Sequence, residues 1–289
     1  MALLKTNQID IVGTLLKVGI RKGTDRSGHD YVSVDAVVGT NQGGVTCEYP
    51  VTFYSKSVTV DNQENKLYAT YCGMEKLLNK KVSISGSIRE NRYFSTKRKQ
   101  LVSVQLIDGR LINTVAENKE DHATFSLGGV MLDELTEKTN KDGKIYRYDL
   151  RIGQANYTED RLSVFTLHVN PDRTDIISGI KNNYKIGNTI ELRGSLLFKV
   201  ETVSVVEEDQ AFGAPVVKTF TNRQNNFFIE GGSKVITDDT KYDSMLIKNL
   251  AAAYHDRDKE IQANAEARMN NAVETPRVES VTNRQTSLI

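Results

Sequence analysis

The sequence predicts an all-β protein, with two small five-stranded barrels in tandem and a C-terminal helix. Three observations lead there. Short stretches of period-two alternation recur through most of the chain, such as Val82, Ile84 and Ile88 against Ser83, Ser85 and Ser87. The same order of strands, short helix and strands is legible twice. Sustained helical spacing comes late, at Tyr242, Leu246, Leu250, Ala253 and Ile261.

In the first half, residues 1–115, the first strand spans 9–20, with Gly13 marking a bend or bulge. RKGTDRSGHD at 21–30 is a turn rich in Gly, Asp and basic residues. The second strand spans 31–38, NQGG at 41–44 is the next turn, and the third strand spans 45–54. Val51 and Phe53 share its core face, while Pro50 signals an edge or a break. Residues 73–79 form a short helix that plugs one barrel end. The fourth and fifth strands begin near 81 and 101.

The stretch 80–107 carries the chemistry. Its connection, 89–99, holds Arg89, Arg92, Lys97, Arg98 and Lys99 against a single acid, Glu90, with Tyr93 and Phe94 among them. Cations follow phosphates and flat rings stack on unpaired bases. A solubilising hairpin tip is the plain alternative, but two adjacent rings in water argue against it. Arg21, Lys22 and Arg26 fit a second basic loop or an ordinary turn. Tyr31 and Tyr54 fall on the parity opposite their strands' apolar positions, which points them outward.

NQIDIVGTLLKV is similar to the opening strand of single-stranded DNA-binding proteins. KLLNKKVSISGSIREN is similar to their helix, turn and fourth strand, with its V-x-V-x-G phrase. Residues 7–107 thus resemble the oligonucleotide-binding (OB) fold of that family. The resemblance implies that nucleic acid lies across the barrel face, between the loops at 21–28 and 89–99. Bacterial members of the family end in a strongly acidic tip. This sequence ends SVTNRQTSLI, which fits a divergent, bacteriophage-type version.

The second half, residues 120–240, starts over. GlyGly at 128–129 precedes VMLDEL, TNKDGK at 139–144 takes the place of the first turn, and strands follow at 145–152 and 162–169. A helix spans 172–184. NTIELRGSLLF at 188–198 parallels the fourth strand, with Gly194 in the place of Gly86. This is an internal duplication, or else a chance likeness between β-rich stretches. A fifth strand at 200–206 precedes Glu207, Glu208 and Asp209. The extension beyond it, with Arg223, Phe227 and Phe228, reads as a hairpin that joins domains or meets another subunit. Tyr146 and Tyr148 read as core, with Arg147 and Arg151 on the surface. Residues 241–270 form the helix, its first half packed and its second half projecting, and 271–289 a disordered tail.

The chain has 289 residues, enough for two cores, and a net charge of +1, so local patches must do any nucleic-acid binding. The opening is not a signal peptide and no apolar run spans a bilayer. Cys47 and Cys72 read as free thiols of a reducing compartment, hence a cytoplasmic protein, in the host cytoplasm if phage-encoded. His29, His122, His168 and His255 lack zinc spacing and read as surface or loop histidines. No catalytic constellation, phosphate loop, metal site or cofactor site is legible. The expected function is sequence-independent binding and protection of single-stranded DNA in replication or recombination, by a non-enzyme. Arg223 joins the residues above as a candidate contact. A homo-oligomer, and replication or recombination proteins meeting the C-terminal region, are the expected partners, with no membrane. The alternatives are a structural or assembly protein using OB-like domains for subunit contacts, and an accessory partner of an enzyme.

Overall fold

The computed structural model describes residues 6–59, 61–155, 161–207, 216–237 and 244–274. Its first half contains β1 (Asn7–Thr24), β2 (Asp30–Gln42), β3 (Val45–Lys56), α1 (Lys66–Cys72), β4 (Lys81–Ser95) and β5 (Gln100–Thr114). β1 pairs antiparallel with β2 and β4, β2 with β3, and β4 with β5. A short parallel contact of Val51 and Thr52 with Ile107 and Asp108 closes the ring. Alternation decides the inside: Val32, Val34, Val51, Phe53, Ile84 and Ile107 are buried.

Several boundaries differ from those the sequence suggests. β1 runs through Gly13, and its register shift comes later, between Leu15 and Lys17. Pro50 does not break β3. It lies opposite Val37, on a strand whose other edge is paired only at isolated points, so the edge reading holds. The helix begins at Lys66 instead of 73, because the Asn65 side chain accepts the Leu67 N–H as its N-cap. A 3-10 turn, Met74–Leu77, follows. Tyr71 and Met74 from this segment plug the ring, with Tyr71 5.2 Å from Phe53 between ring centres.

The second half contains β6 (His122–Met131), β7 (Thr136–Thr139), β8 (Ile145–Ala155), β9 (Leu162–Val169), α2 (Thr174–Asn183), β10 (Thr189–Glu207) and β11 (Val216–Gly232), then α3 (Ser244–Glu274). β6, β8, β9, β11 and β10 close a second ring, again with a parallel contact between its third and fifth strands, Phe228 with His168. The short β7 pairs with β8. The expected end of a strand at Phe198 is not found: no turn-forming residue intervenes, and β10 continues to Glu207 with β11 beside it. The extension is the hairpin anticipated, and its distal strand closes the ring. Glu208 and Asp209, Tyr242 and residues 275–289 of the expected tail lie outside the described residues. The architecture is all-β, two OB-like rings and a C-terminal helix.

The rings share one continuous sheet. β1 residues 7–12 pair with β6 while residues 9–14 pair with β4. Tyr49 of β3 reaches across: Gln42 donates to its hydroxyl (3.0 Å), which donates to the Leu196 carbonyl (2.8 Å). Its ring starts an aromatic series through Phe198, Phe227 and Phe125, with centres 5.2–6.0 Å apart.

The parallel drawn between Gly86 and Gly194 has one physical cause. Each sits at a register shift, in β4 and in β10, and a Cβ at either would overlap a carbonyl oxygen of the partner strand, Asp108 or Phe228. Gly86→Ala and Gly194→Ala should each lower stability by about 1–3 kcal/mol, the cost of overpacking. Urea unfolding midpoints measure this; unchanged midpoints would show that the bulges do not need bare backbone.

Candidate nucleic-acid interface

On the outer face of the first ring, β1, β2 and β3 bring Arg21, Ser33 and Tyr54 into one row, and Gly23, Tyr31 and Lys56 into the next. Tyr54 is 55% exposed and Tyr31 half-buried, their centres 5.8 Å apart at 31°. Tyr31 lies flat because Gly23 has no side chain: a Cβ there would sit 2.7 Å from the Tyr31 hydroxyl. Arg21 pairs with Asp35 at 2.6 Å, both well exposed. β1 extends to Thr24, so Arg21 and Lys22 stand on a strand instead of in a loop. Lys22 lies opposite Val32, which turns it to the other side from Tyr31 and Tyr54. Arg26 is exposed in the remaining turn.

That turn is held by Asp25. Its carboxylate accepts from the N–H groups of Ser27 (2.9 Å) and His29 (3.0 Å) and pairs with Lys56 at 2.7 Å. The Lys56 ammonium, then the His29 N–H, hold its pKa down to about 2. A depressed carboxyl stabilises the fold above its unfolded pKa, and that contribution disappears as pH falls through the folded value. An NMR titration of the Asp25 carboxyl should show a midpoint near pH 2; a midpoint near the unperturbed 3.8 would mean that Lys56 does not hold it.

The connection expected at 89–99 is a strand hairpin. β4 runs to Ser95 and β5 starts at Gln100, so only residues 96–99 turn, with Lys99 at φ 51°. The cause is continued pairing of Asn91 with Val104 and Tyr93 with Val102. Alternation then sorts the candidates. Arg89 and Tyr93 are on the outer face, Tyr93 44% exposed and Arg89 paired with Asp108 at 2.6 Å. Lys97, Arg98 and Lys99 are exposed at the tip.

Arg92 and Phe94 share the opposite parity with Glu90. Arg92 is taken up inside the protein: its guanidinium bonds the Tyr254 hydroxyl and Asp258 of α3, covers the Tyr254 ring at 4.1 Å, and lies 3.7 Å from Glu90. Phe94 is half-buried. Glu90, with its side chain 3% exposed, accepts from the Val164 N–H (3.0 Å), the Tyr254 hydroxyl (2.6 Å) and Ser103 (2.9 Å). Gln105 accepts from the Thr166 N–H at 2.6 Å. The hairpin's hidden side therefore caps the edge of β9.

In the second ring α3 covers the outer face where β8 ends and β9 begins. Phe165, Leu167 and Val169 of β9 point into the main core. Leu162 and Val164, with Ala155 of β8, instead pack against Ile247 and Tyr254 of α3. Further along, His168 is buried and bonded to Asp149 at 2.9 Å, which corrects its reading as a surface histidine. Burial pushes the Asp149 carboxyl up, but the His168 bond and the nearby His168 and Arg147 charges hold it below the usual range. Tyr146, read as core, is 52% exposed, since it lies past the end of the closed ring; Tyr148 is half-buried against the core. Phe227 is buried, and Arg223 pairs with Glu48 at 3.2 Å.

The YorF family profile matches residues 5–266. The chain belongs to the YorF family. No curated protein sequence matches it. Among solved structures, this YorF-family chain is similar to the wild-type single-stranded DNA-binding protein from Thermus aquaticus. The identity is 11%, the TM-score 0.51, and the match covers 81% of this chain and 95% of that one. A deletion mutant of the same Thermus protein matches at 12% identity and TM-score 0.51, over 81% and 96% of the two chains. At such identity the likeness speaks for the fold alone. Among the described residues no cluster of His, Cys, Asp or Glu could hold a metal ion, and no helix is long and apolar enough to cross a membrane.

Sequence reasoning missed Gly23, Glu90, Gln105, Tyr254 and Asp258. The alternation of the fourth strand, carried on through Arg89, Glu90, Asn91, Arg92 and Tyr93, was the signal that separates the two sides of the hairpin. In this YorF-family chain, Arg92→Ala should cost about 3 kcal/mol by leaving the buried Glu90 carboxylate without its cation. Urea unfolding measures it; a loss below about 0.5 kcal/mol, the size of a surface effect, would show that the contact is incidental.

Proposed function

We propose that the outer face of the first ring binds single-stranded DNA with little sequence preference. The observation that carries this reading is the Tyr31–Tyr54 pair, an exposed ring beside a half-buried one on the outer face of β2 and β3. Stacking is indifferent to base identity because every base has a π-face. Tyr93 adds a second exposed ring. Arg21, Arg26, Arg89, Lys97, Arg98 and Lys99 supply cations for the backbone. The Arg21–Asp35 and Arg89–Asp108 pairs are exposed, so each is worth about 0–1 kcal/mol and exchanges readily for phosphate. The OB-like fold, shared with proteins named for single-stranded DNA binding, supports the same reading.

The reading includes residues 1–115 and 120–240 as two domains that arose by duplication. It also includes a non-enzymatic role in replication or recombination, and homo-oligomers on the bound strand. Arg92 serves the fold in this account instead of the ligand.

Titration of a labelled thymine homopolymer at two salt concentrations tests the proposal. Tyr54→Ala should weaken binding by about 1–3 kcal/mol, the worth of one stacked base. Changing Lys97, Arg98 and Lys99 together to Gln should reduce the slope of log K against log salt by up to about 2, at roughly 0.7 per phosphate. Absence of binding by the wild-type protein at low salt would refute the proposal.

A further inference from the structure

A cleft of about 500 Å³ opens in the second ring between β8 and β11, lined by Tyr146, Arg147, Arg223, Asn225, Asn226 and Phe228. Three observations make it more than a surface irregularity. Tyr146 presents an exposed ring, with the Arg147 guanidinium 5.5 Å from its centre. β11 pairs with β10 along its length but with β9 only at Phe228, so from Arg223 to Phe227 its other edge has no strand partner among the described residues. The cleft also joins the first ring's open face. Arg223 bonds Glu48, which lies on the same side of β3 as Tyr54 and six residues away, about 20 Å along the strand.

We infer that a single strand stacked on Tyr31 and Tyr54 continues along the outer face of β3 and places a further nucleotide in this cleft. The inference rests on the reading of the first ring as a single-stranded DNA site. Asn225 and Asn226 carry both donors and acceptors, which suits base edges of any kind. The two arginines are already neutralised, Arg223 by Glu48 and Arg147 by Asp149 at 2.8 Å. Asp149 is buried and keeps Arg147, whereas the Arg223–Glu48 pair is exposed enough to exchange for phosphate, so the cleft contributes through stacking, amide hydrogen bonds and at most one phosphate contact. An extended peptide added to the free β11 edge is the competing occupant. The polar lining and the continuity with the Tyr54 face favour nucleic acid.

The test uses the full-length protein with thymine oligomers of about 6 and about 20 nucleotides, within and beyond the reach of one OB face. Wild-type protein should bind the longer oligomer more tightly. Tyr146→Ala should weaken the longer complex roughly tenfold, the effect of one lost stacking contact, leaving the shorter complex and the salt slope unchanged. Asn226→Ala should weaken the same complex selectively. If both variants bind the longer oligomer as the wild type does, the cleft is no part of the path, although the first-ring site stands. If the longer complex weakens only through a smaller salt slope, the contact is electrostatic and the stacking assignment falls. If the wild type binds neither oligomer, both readings fall together.

Discussion

The carboxylate of Glu90 is where three parts of the chain meet. It takes the Val164 N–H from the edge of β9 and the Tyr254 hydroxyl from α3, with Arg92 beside it on its own strand. A buried carboxylate with this many donors is satisfied; stripped of them it would be costly. The contact ties the first ring's long hairpin to the second ring and fixes α3 over the β8–β9 face. The difference between the two rings follows from it.

The rings share their wiring: a helix between third and fourth strands, a parallel closing contact between third and fifth, and a glycine in the fourth opposite an extra residue in the fifth. Their outer faces have opposite fates. On the first, Tyr54 stays open beside Tyr31, which lies half-buried over the bare backbone of Gly23. On the second, small and aliphatic side chains at Ala155, Leu162 and Val164 accept a helix. One outer face stays open to solvent, and the other carries a permanent internal cover.

Much of this was legible in the sequence because alternation reports burial directly. Phe53 as core, Tyr31 and Tyr54 as outward, the strand at 162–169 and the equivalence of Gly86 with Gly194 all follow from period two and glycine placement. What was not legible depends on distant partners. The charge run at 89–99 looks like one loop, yet pairing with Val102 and Val104 makes it a two-sided hairpin, and its hidden side is chosen by residues more than 70 positions away. Arg92 and Arg89 are indistinguishable by composition; parity and the position of Tyr254 separate them. His168 was misread for the same reason, since only the fold brings Asp149 and Phe228 to it.

The proposed binding depends on which outer face meets single-stranded DNA. Ultraviolet crosslinking of the full-length protein to a thymine oligomer, followed by peptide mass spectrometry, addresses that directly. The account predicts crosslinks at Tyr31, Tyr54 and Tyr93, with Tyr254 and the peptides of β9 unmarked. Crosslinks concentrated on β9 and α3, with Tyr31 and Tyr54 untouched, would contradict it.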